Sequence, residues 1–293
     1  MQRVVITGAS GFLGRYMLET APLTSAILAL THQNNIQATS NTTTVSLDLT
    51  SDSFDPILEF KPDVIYHLAA MSSPEACETS PQQAEKITVE STERLAKLAN
   101  KLNCRLIFTS TDLVFDGENA PYNEFSKPSP INVYGRQKVV AEGVVLSEMP
   151  DKGVVVRCPL MYGGSVQNRE NFTAGIVRKL KTLEPVYLFT DEYRTPAWGQ
   201  DVATALWKIG ASEDRGILHA GGAERLSRYE MGEQICASMN ADRSLLIKSL
   251  RKDVNSSAAR AKDCSIESIR KDISVSLPLP GFHQRLSILL NQH

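Results

Sequence analysis

Two short segments carry residue types that can move a proton. Ser110-Thr111-Asp112 closes an apolar run, and Tyr134-Gly-Arg-Gln-Lys138 opens a helical pattern 23 residues after Thr111. Residues i and i+4 share a helix face, so Tyr134 and Lys138 project together. The strand-end hydroxyl of Thr111 is placed to meet them. An ammonium beside a phenol favours the phenolate, so the Tyr134 pKa is expected to fall from about 10. Such a tyrosine can donate and accept a proton near neutral pH. The Tyr-x-x-x-Lys spacing alone occurs by chance in many helices, and what raises it here is a glycine-rich turn in the same chain.

That turn lies at the N-terminus. Arg3-Val-Val-Ile-Thr7 reads as a short buried strand, Gly8-Ala-Ser10-Gly11-Phe12-Leu13-Gly14 follows at once, and Arg15 to Thr20 continues as a helix. In a strand–turn–helix unit Gly8 permits the tight turn, Gly11 admits a pyrophosphate close to the backbone, and Gly14 lets the helix pack near the strand. The helix start then offers free N–H groups to the phosphates. Gly8, Ser10, Gly11, Phe12, Leu13 and Gly14 are therefore the expected cofactor cradle. The competing reading, a turn that binds nothing, is weakened by the strand before it and the helix after it.

A ribose-binding acid is expected about 20 residues further on. The second strand, Ala26 to Leu30, ends instead in Thr31-His32-Gln33-Asn34. With no carboxylate there to repel a 2′-phosphate, NADP(H) is favoured over NAD(H). His32 also reads as an ordinary solvated loop residue.

Strand-like runs alternate with helical patterns through the first 160 residues. This predicts an α/β fold, a Rossmann-type doubly wound parallel sheet with a smaller mixed α/β substrate lobe. Residues 1–160 are expected to form the dinucleotide-binding domain, with segments near 190–210 returning to it, and 161–293 mainly the substrate-binding lobe. Ligands of such sheets bind beyond the carboxyl ends of the strands. Asp48-Leu49, Leu68-Ala69-Ala70 and Ser110-Thr111-Asp112 all stand at such ends. Asp48 could accept from an adenine amino group or cap the helix after it. Ala69 and Ala70 leave room for a cofactor, and tight backbone packing would select the same residues. Beyond residue 160, Asn168-Arg-Glu-Asn171-Phe172 is expected to open a helix, and 251–265, rich in small and charged residues, is expected to be mobile.

Composition bounds the rest. The 293 residues are 42% hydrophobic and 22% charged with a net charge of −2, which points to a globular protein without a nucleic-acid or membrane-surface role. No apolar stretch approaches the ~20 residues of a membrane span, and the chain enters its first strand at once, so a cytoplasmic location is expected. The five cysteines are scattered and lack C-x-x-C spacing, as reduced thiols do. The histidines form no H-x-x-x-H pair, so no catalytic metal is expected.

Taken together these motifs resemble the extended short-chain dehydrogenases/reductases. Ser110-Thr-Asp-Leu-Val-Phe-Asp-Gly117 with Asn132-Val-Tyr-Gly-Arg-Gln-Lys138 most resembles the dTDP-4-dehydrorhamnose reductases. Asn171-Phe172, Thr195-Pro196, Leu218-His-Ala-Gly-Gly222 and Arg260-Ala-Lys-Asp-Cys-Ser265 extend the likeness. The resemblance implies Thr111, Tyr134 and Lys138 as the catalytic set. It also implies Asp112, Asn171 and Phe172 as substrate contacts, and hydride transfer from NAD(P)H to a nucleotide-linked 4-keto-6-deoxy sugar with Tyr134 as proton donor; Arg194, which the family does not share, is a further candidate substrate contact through the cation it adds. Three positions depart from the family pattern: Leu160 where an aromatic ring usually closes over the sugar, Arg194 for a glycine, and Ala261 for a proline.

Each residue also has a structural reading. Thr111 could satisfy a strand-end amide, Tyr134 could be a plain helix-face aromatic, and Lys138 a solvated charge. Asn171 and Phe172 could be an N-cap and a core anchor. Arg194 could bridge the lobes or meet a diphosphate. A 4,6-dehydratase would need an acid after Asp112, where Leu113 stands. A nucleotide-sugar 4-epimerase would use the same tyrosine and lysine. A non-catalytic NADP-binding subunit, similar to the regulatory subunit of methionine adenosyltransferase, is the rival of another class. The expected partner is the nucleotide sugar, with a homodimer as the assembly considered.

Overall fold

The computed structural model describes residues 1–164 and 171–291. Its frame is a seven-stranded parallel sheet. Strands β1 (Gln2–Thr7), β2 (Ser25–Thr31), β3 (Thr42–Ser46), β4 (Val64–His67), β5 (Arg105–Thr111) and β6 (Gly153–Cys158) are joined by the later edge strand Gly216–His219. The spatial order is Gly216–His219, β6, β5, β4, β1, β2, β3. The order reverses between β1 and β4, and a crevice opens at such a switch point.

β1, β3, β4 and β5 are each followed by helix that crosses back over the sheet and so sets the next strand parallel, whereas β2 runs to β3 without a helix. Both faces are covered, so the strands read as apolar runs: Val4 to Ile6, Val64 to Tyr66, Leu106 to Phe108 and Val154 to Val156 are closed to water. On one face the helix Phe12–Glu19 and the helix Gly199–Gly210 pack together over β1 and its neighbours. On the other, Ser91–Leu102 and Val133–Glu148 cover β4 to β6. The expected Rossmann-type α/β fold is the one found.

The helical run from Pro81 to Leu102 is not uniform. It carries a π-helical turn at Lys86–Glu90 between the helices Pro81–Glu85 and Ser91–Leu102. Such a turn accommodates one extra residue and re-aims the side chains around it.

A smaller lobe gathers around Tyr162, Val186, Leu188, Trp198, Met231 and Phe282. Its helices are Phe172–Lys181, Arg228–Ser238 and Phe282–Asn291, and Val186–Phe189 pairs in parallel with Leu246–Ser249. The helix expected to open at Asn168 begins at Phe172; residues 168–170 lie outside the described residues. The expectation that 251–265 is mobile is corrected for 258–265, whereas 252–255 and 257 are exposed. Ala258, Ala261, Cys264 and Ser265 are buried, and Asp263 N–H donates to the Gly117 carbonyl. Small residues there are selected for close packing. Among the described residues no helix is long and apolar enough to cross a membrane.

Candidate active site

The glycine turn joins β1 to the helix Phe12–Glu19. Gly8 has φ +66°, and a Cβ there would lie 2.9 Å from the Ala69 nitrogen. A Cβ on Gly14 would lie 2.4 Å from the Gly8 carbonyl oxygen. The turn thus sits directly on the end of β4, and the helix directly on the turn. Gly11 is the N-cap and brings no side-chain cap, so the first helical N–H groups stay available for phosphate oxygens.

A cavity of about 460 Å³ opens above this turn. Gly8, Ser10, Gly11, Phe12, Leu13, Gly14, Asp48, Leu49, Leu68, Ala69, Ala70, Tyr134 and Lys138 all line it. His32, Gln33 and Asn34 close it on the β2 side, Tyr134 and Lys138 on the β5 side. The uncapped helix start and this arrangement fit a nicotinamide dinucleotide. Asp48 is no helix cap: its Oδ1 accepts from the backbone and hydroxyl of Thr50, and the next helix begins only at Asp55. Ser72, Gln83, Ile87, Cys158 and Met161 also line the cavity, and no pattern in the sequence marks them. Burial pushes the Cys158 thiol up to about 12, so it stays protonated.

A second cavity of about 310 Å³ lies beside the first. Thr111, Asp112, Leu160, Arg194 and Arg228 line it, and Tyr134, Met161 and Ser72 line both. Tyr134 therefore stands where the two cavities meet. Asn132 caps the helix Val133–Glu148 by accepting from Gly135 N–H, which fixes Tyr134 in the first turn.

The Tyr134 pKa moves opposite to the sequence expectation. Burial raises it, the nearby Asp112 carboxylate raises it further, and the Thr111 hydroxyl lowers it only in part. The local pairing with Lys138 loses to desolvation because the phenol is 9% exposed and the ammonium is directed elsewhere. Lys138 Nζ donates to the Thr109 carbonyl at 2.9 Å and lies 4.5 Å from the centroid of the Phe108 ring. Burial pushes Lys138 down to about 8.

Thr111 Oγ1 accepts from Leu113 N–H and donates to Asp112 Oδ1 at 3.1 Å. It thus has a strand-end task and a place at the cavity junction. Burial raises the Asp112 pKa against the pull of Arg194, whose Nε lies 3.3 Å from Asp112 Oδ2.

Arg194 is a buried bridge. It donates to the carbonyls of Tyr193 and Ala261 and lies 3.8 Å from Glu192. Arg228 and Arg260 also reach Glu192. Burial opposes the Glu192 charge, yet Arg228 and Arg194 outweigh it and hold its pKa below the usual range. Asn171 and Phe172 do not line the second cavity. Asn171 Oδ1 caps its helix through Thr173 and Ala174, and its Nδ2 donates to the Gly163 and Gly164 carbonyls. Phe172 lies under the Arg228 guanidinium, 4.6 Å from ring centroid to carbon.

Behind the site, Glu142 continues the Tyr134–Lys138 helix face one turn further. It accepts two hydrogen bonds from Arg157 and one from Ser110 Oγ. Arg157 also lies against the Phe115 ring and reaches His219. A charge inside the fully buried strand β6 was the available signal for such a partner.

The whole of residues 1–293 matches the family model described as RmlD substrate binding domain. The chain belongs to this family. It is similar to the methionine adenosyltransferase 2 subunit beta of Xenopus laevis, 35% identical over 191 residues, which is 63% of this chain and 56% of that protein. It is also similar to the "Probable low-salt glycan biosynthesis reductase Agl14" of Haloferax volcanii, 27% identical over 93% of both chains. In fold it matches a dTDP-4-dehydrorhamnose reductase of Bacillus anthracis solved in complex with NADP, with TM-score 0.87 and 24% identity over 100% of both chains. The fold of that reductase is thus the fold of this chain.

Proposed function

We propose that the protein is an oxidoreductase that reduces a nucleotide-linked 4-keto-6-deoxy sugar with NADPH in preference to NADH. One observation carries the reading: Tyr134 lines both the glycine-turn cavity and the cavity of the smaller lobe. A carbonyl held in the second cavity meets a proton donor at the mouth of the first. The reduced nicotinamide supplies the hydride when bound. Tyr134, kept protonated by its burial, gives its proton to the developing alkoxide. Thr111 Oγ1 orients the carbonyl. Lys138 keeps a positive charge behind the tyrosinate that the transfer leaves. Most of the acceleration comes from holding both reactants in near-attack geometry. The absence of a carboxylate among His32, Gln33 and Asn34 supports a cofactor with a 2′-phosphate, as does the NADP held by the Bacillus anthracis reductase.

The test is a fluorescence titration with NADPH and NADH, followed by addition of dTDP-4-keto-6-deoxy-L-mannose. Loss of nicotinamide absorbance with stoichiometric dTDP-L-rhamnose is expected. Tight NADPH binding with no consumption would move the assignment to another keto-sugar or to a second reading. That reading, a nucleotide-binding subunit that acts through a partner protein, is favoured by the likeness to the methionine adenosyltransferase subunit. A stable partner in a pull-down, with no turnover of any keto-sugar, would support it.

A further inference from the structure

One fully buried titratable group beside the catalytic set has no part in the scheme above. His67 ends β4 and is 0% exposed. Its Nδ1 lies 2.8 Å from Thr7 Oγ1, and its Nε2 lies 3.0 Å from Thr92 Oγ1. The proton positions follow from the outer partners. Thr92 Oγ1 donates to the Thr88 carbonyl at 2.6 Å, so its proton is used and it must accept from His67 Nε2–H. Nδ1 is then an acceptor, and the Thr7 hydroxyl donates to it. That leaves the oxygen of Thr7 free to accept, which it does from Leu68 N–H and Ala69 N–H at 3.2 Å each. Every donor and acceptor in the chain is matched by one tautomer of a neutral ring. Burial pushes the His67 pKa down to about 3, with the Lys138 charge adding to it, so the ring stays neutral at working pH.

The ends of this chain are walls of the glycine-turn cavity. Leu68 and Ala69 line it directly, and Ala69 N is the atom closest to a Cβ on Gly8. Thr88 belongs to the π-helical turn Lys86–Glu90, whose Ile87 lines the same cavity. His67 reaches Lys138 as well. Its carbonyl accepts from Thr109 Oγ1, the Thr109 carbonyl accepts from Lys138 Nζ, and its ring centroid lies 5.6 Å from that of Phe108, under the same ammonium.

We propose that His67 is a positioning residue of the nucleotide cleft. As the neutral Nε2–H tautomer it clamps the Leu68–Ala70 wall to the π-helical turn, and through Thr109 and Phe108 it sets the seat of Lys138. The inference rests on reading that cleft as a dinucleotide site. It explains why the helix at 81–102 bulges at Lys86–Glu90: the bulge belongs to the wall that Thr92 and His67 hold.

The test is NADPH affinity by fluorescence titration, well below the melting temperature, for Thr92→Val and Thr92→Ser. Valine keeps the shape and removes both hydrogen bonds, whereas serine keeps the hydroxyl. The clamp requires a dissociation constant raised about tenfold by valine and returned to within twofold of wild type by serine. A valine variant that melts earlier but binds NADPH like wild type would reduce the network to a stabilising role and overturn the proposal. If valine prevents folding, His67→Asn, which keeps a partner for Thr7 and drops the bond to Thr92, is read by the same criterion. Wild-type protein that binds neither NADPH nor NADH sinks the dinucleotide reading and the clamp together; unchanged affinity in the variant sinks the clamp alone.

Discussion

Arg157 and Glu142 form a two-pronged ion pair, Nε to Oε1 at 2.9 Å and Nη2 to Oε2 at 2.7 Å, with both side chains closed to water. The pair ties the helix that carries Tyr134 and Lys138 to β6. Removing one partner leaves a buried charge unmatched, which costs about 3–5 kcal/mol. Glu142→Ala is expected to lose that much stability in urea denaturation. The double variant Glu142→Leu with Arg157→Met should recover most of it, because an apolar pair of similar volume replaces the ions. Equal stability of the single and double variants would show that the pair is not the contact that matters.

Tyr134→Phe removes the proton donor and little else, since the ring keeps its packing against Cys77 and Ala84. Turnover should fall about 10²–10⁴-fold with NADPH affinity within twofold of wild type. Steady-state kinetics alongside the fluorescence titration reads both. Turnover that survives the substitution would sink the mechanism.

Lys138 titrates at about 8 in the folded protein, below its ordinary value of about 10.4. Its charged form is needed behind the tyrosinate, so kcat/KM is expected to fall as pH rises through about 8. The same shift makes the buried ammonium a stability cost, present below pH 8 and relieved as pH climbs towards 10.4. Lys138→Met should therefore raise the melting temperature at pH 7 while abolishing turnover. A variant less stable than wild type at pH 7 would contradict the sign.

Gly14→Ala places a methyl 2.4 Å from the Gly8 carbonyl and 2.6 Å from that of Ala9. Backbone has to move, and the helix start moves with it. NADPH affinity is expected to drop more than tenfold, whereas Gly143→Ala, where nothing lies within 4 Å, should leave it unchanged.

The parts of the site legible in the sequence are those fixed by local geometry. A left-handed turn and close backbone approaches require glycine at 8 and 14, and one helix turn links Tyr134 to Lys138. The first cavity lies between those two marks. What escaped depends on partners remote in the chain. Arg260 meets Glu75 across 185 residues and Ser110 meets Glu142 across 32, and no spacing rule connects such pairs. The raised pKa of Tyr134 is not legible in the sequence, because a neighbour four residues away is visible there and desolvation is not. Arg194 bridges Asp112, Tyr193 and Ala261 and also lines the second cavity, an arrangement that the sequence leaves open between a bridge and a phosphate ligand.

The edge strand Gly216–His219 pairs with β6 only after the chain has built part of the smaller lobe. A fragment ending near residue 160 would leave the whole outer rim of β6 as a bare edge. Its valines, Val154 to Val156, would then be open to pairing with another copy. The helix Gly199–Gly210 would be missing too, uncovering Tyr66 and Met17 beneath it. The half that carries the glycine turn is thus no freestanding module. Grafting it onto another lobe would require the segment from Ala197 to His219 to travel with it.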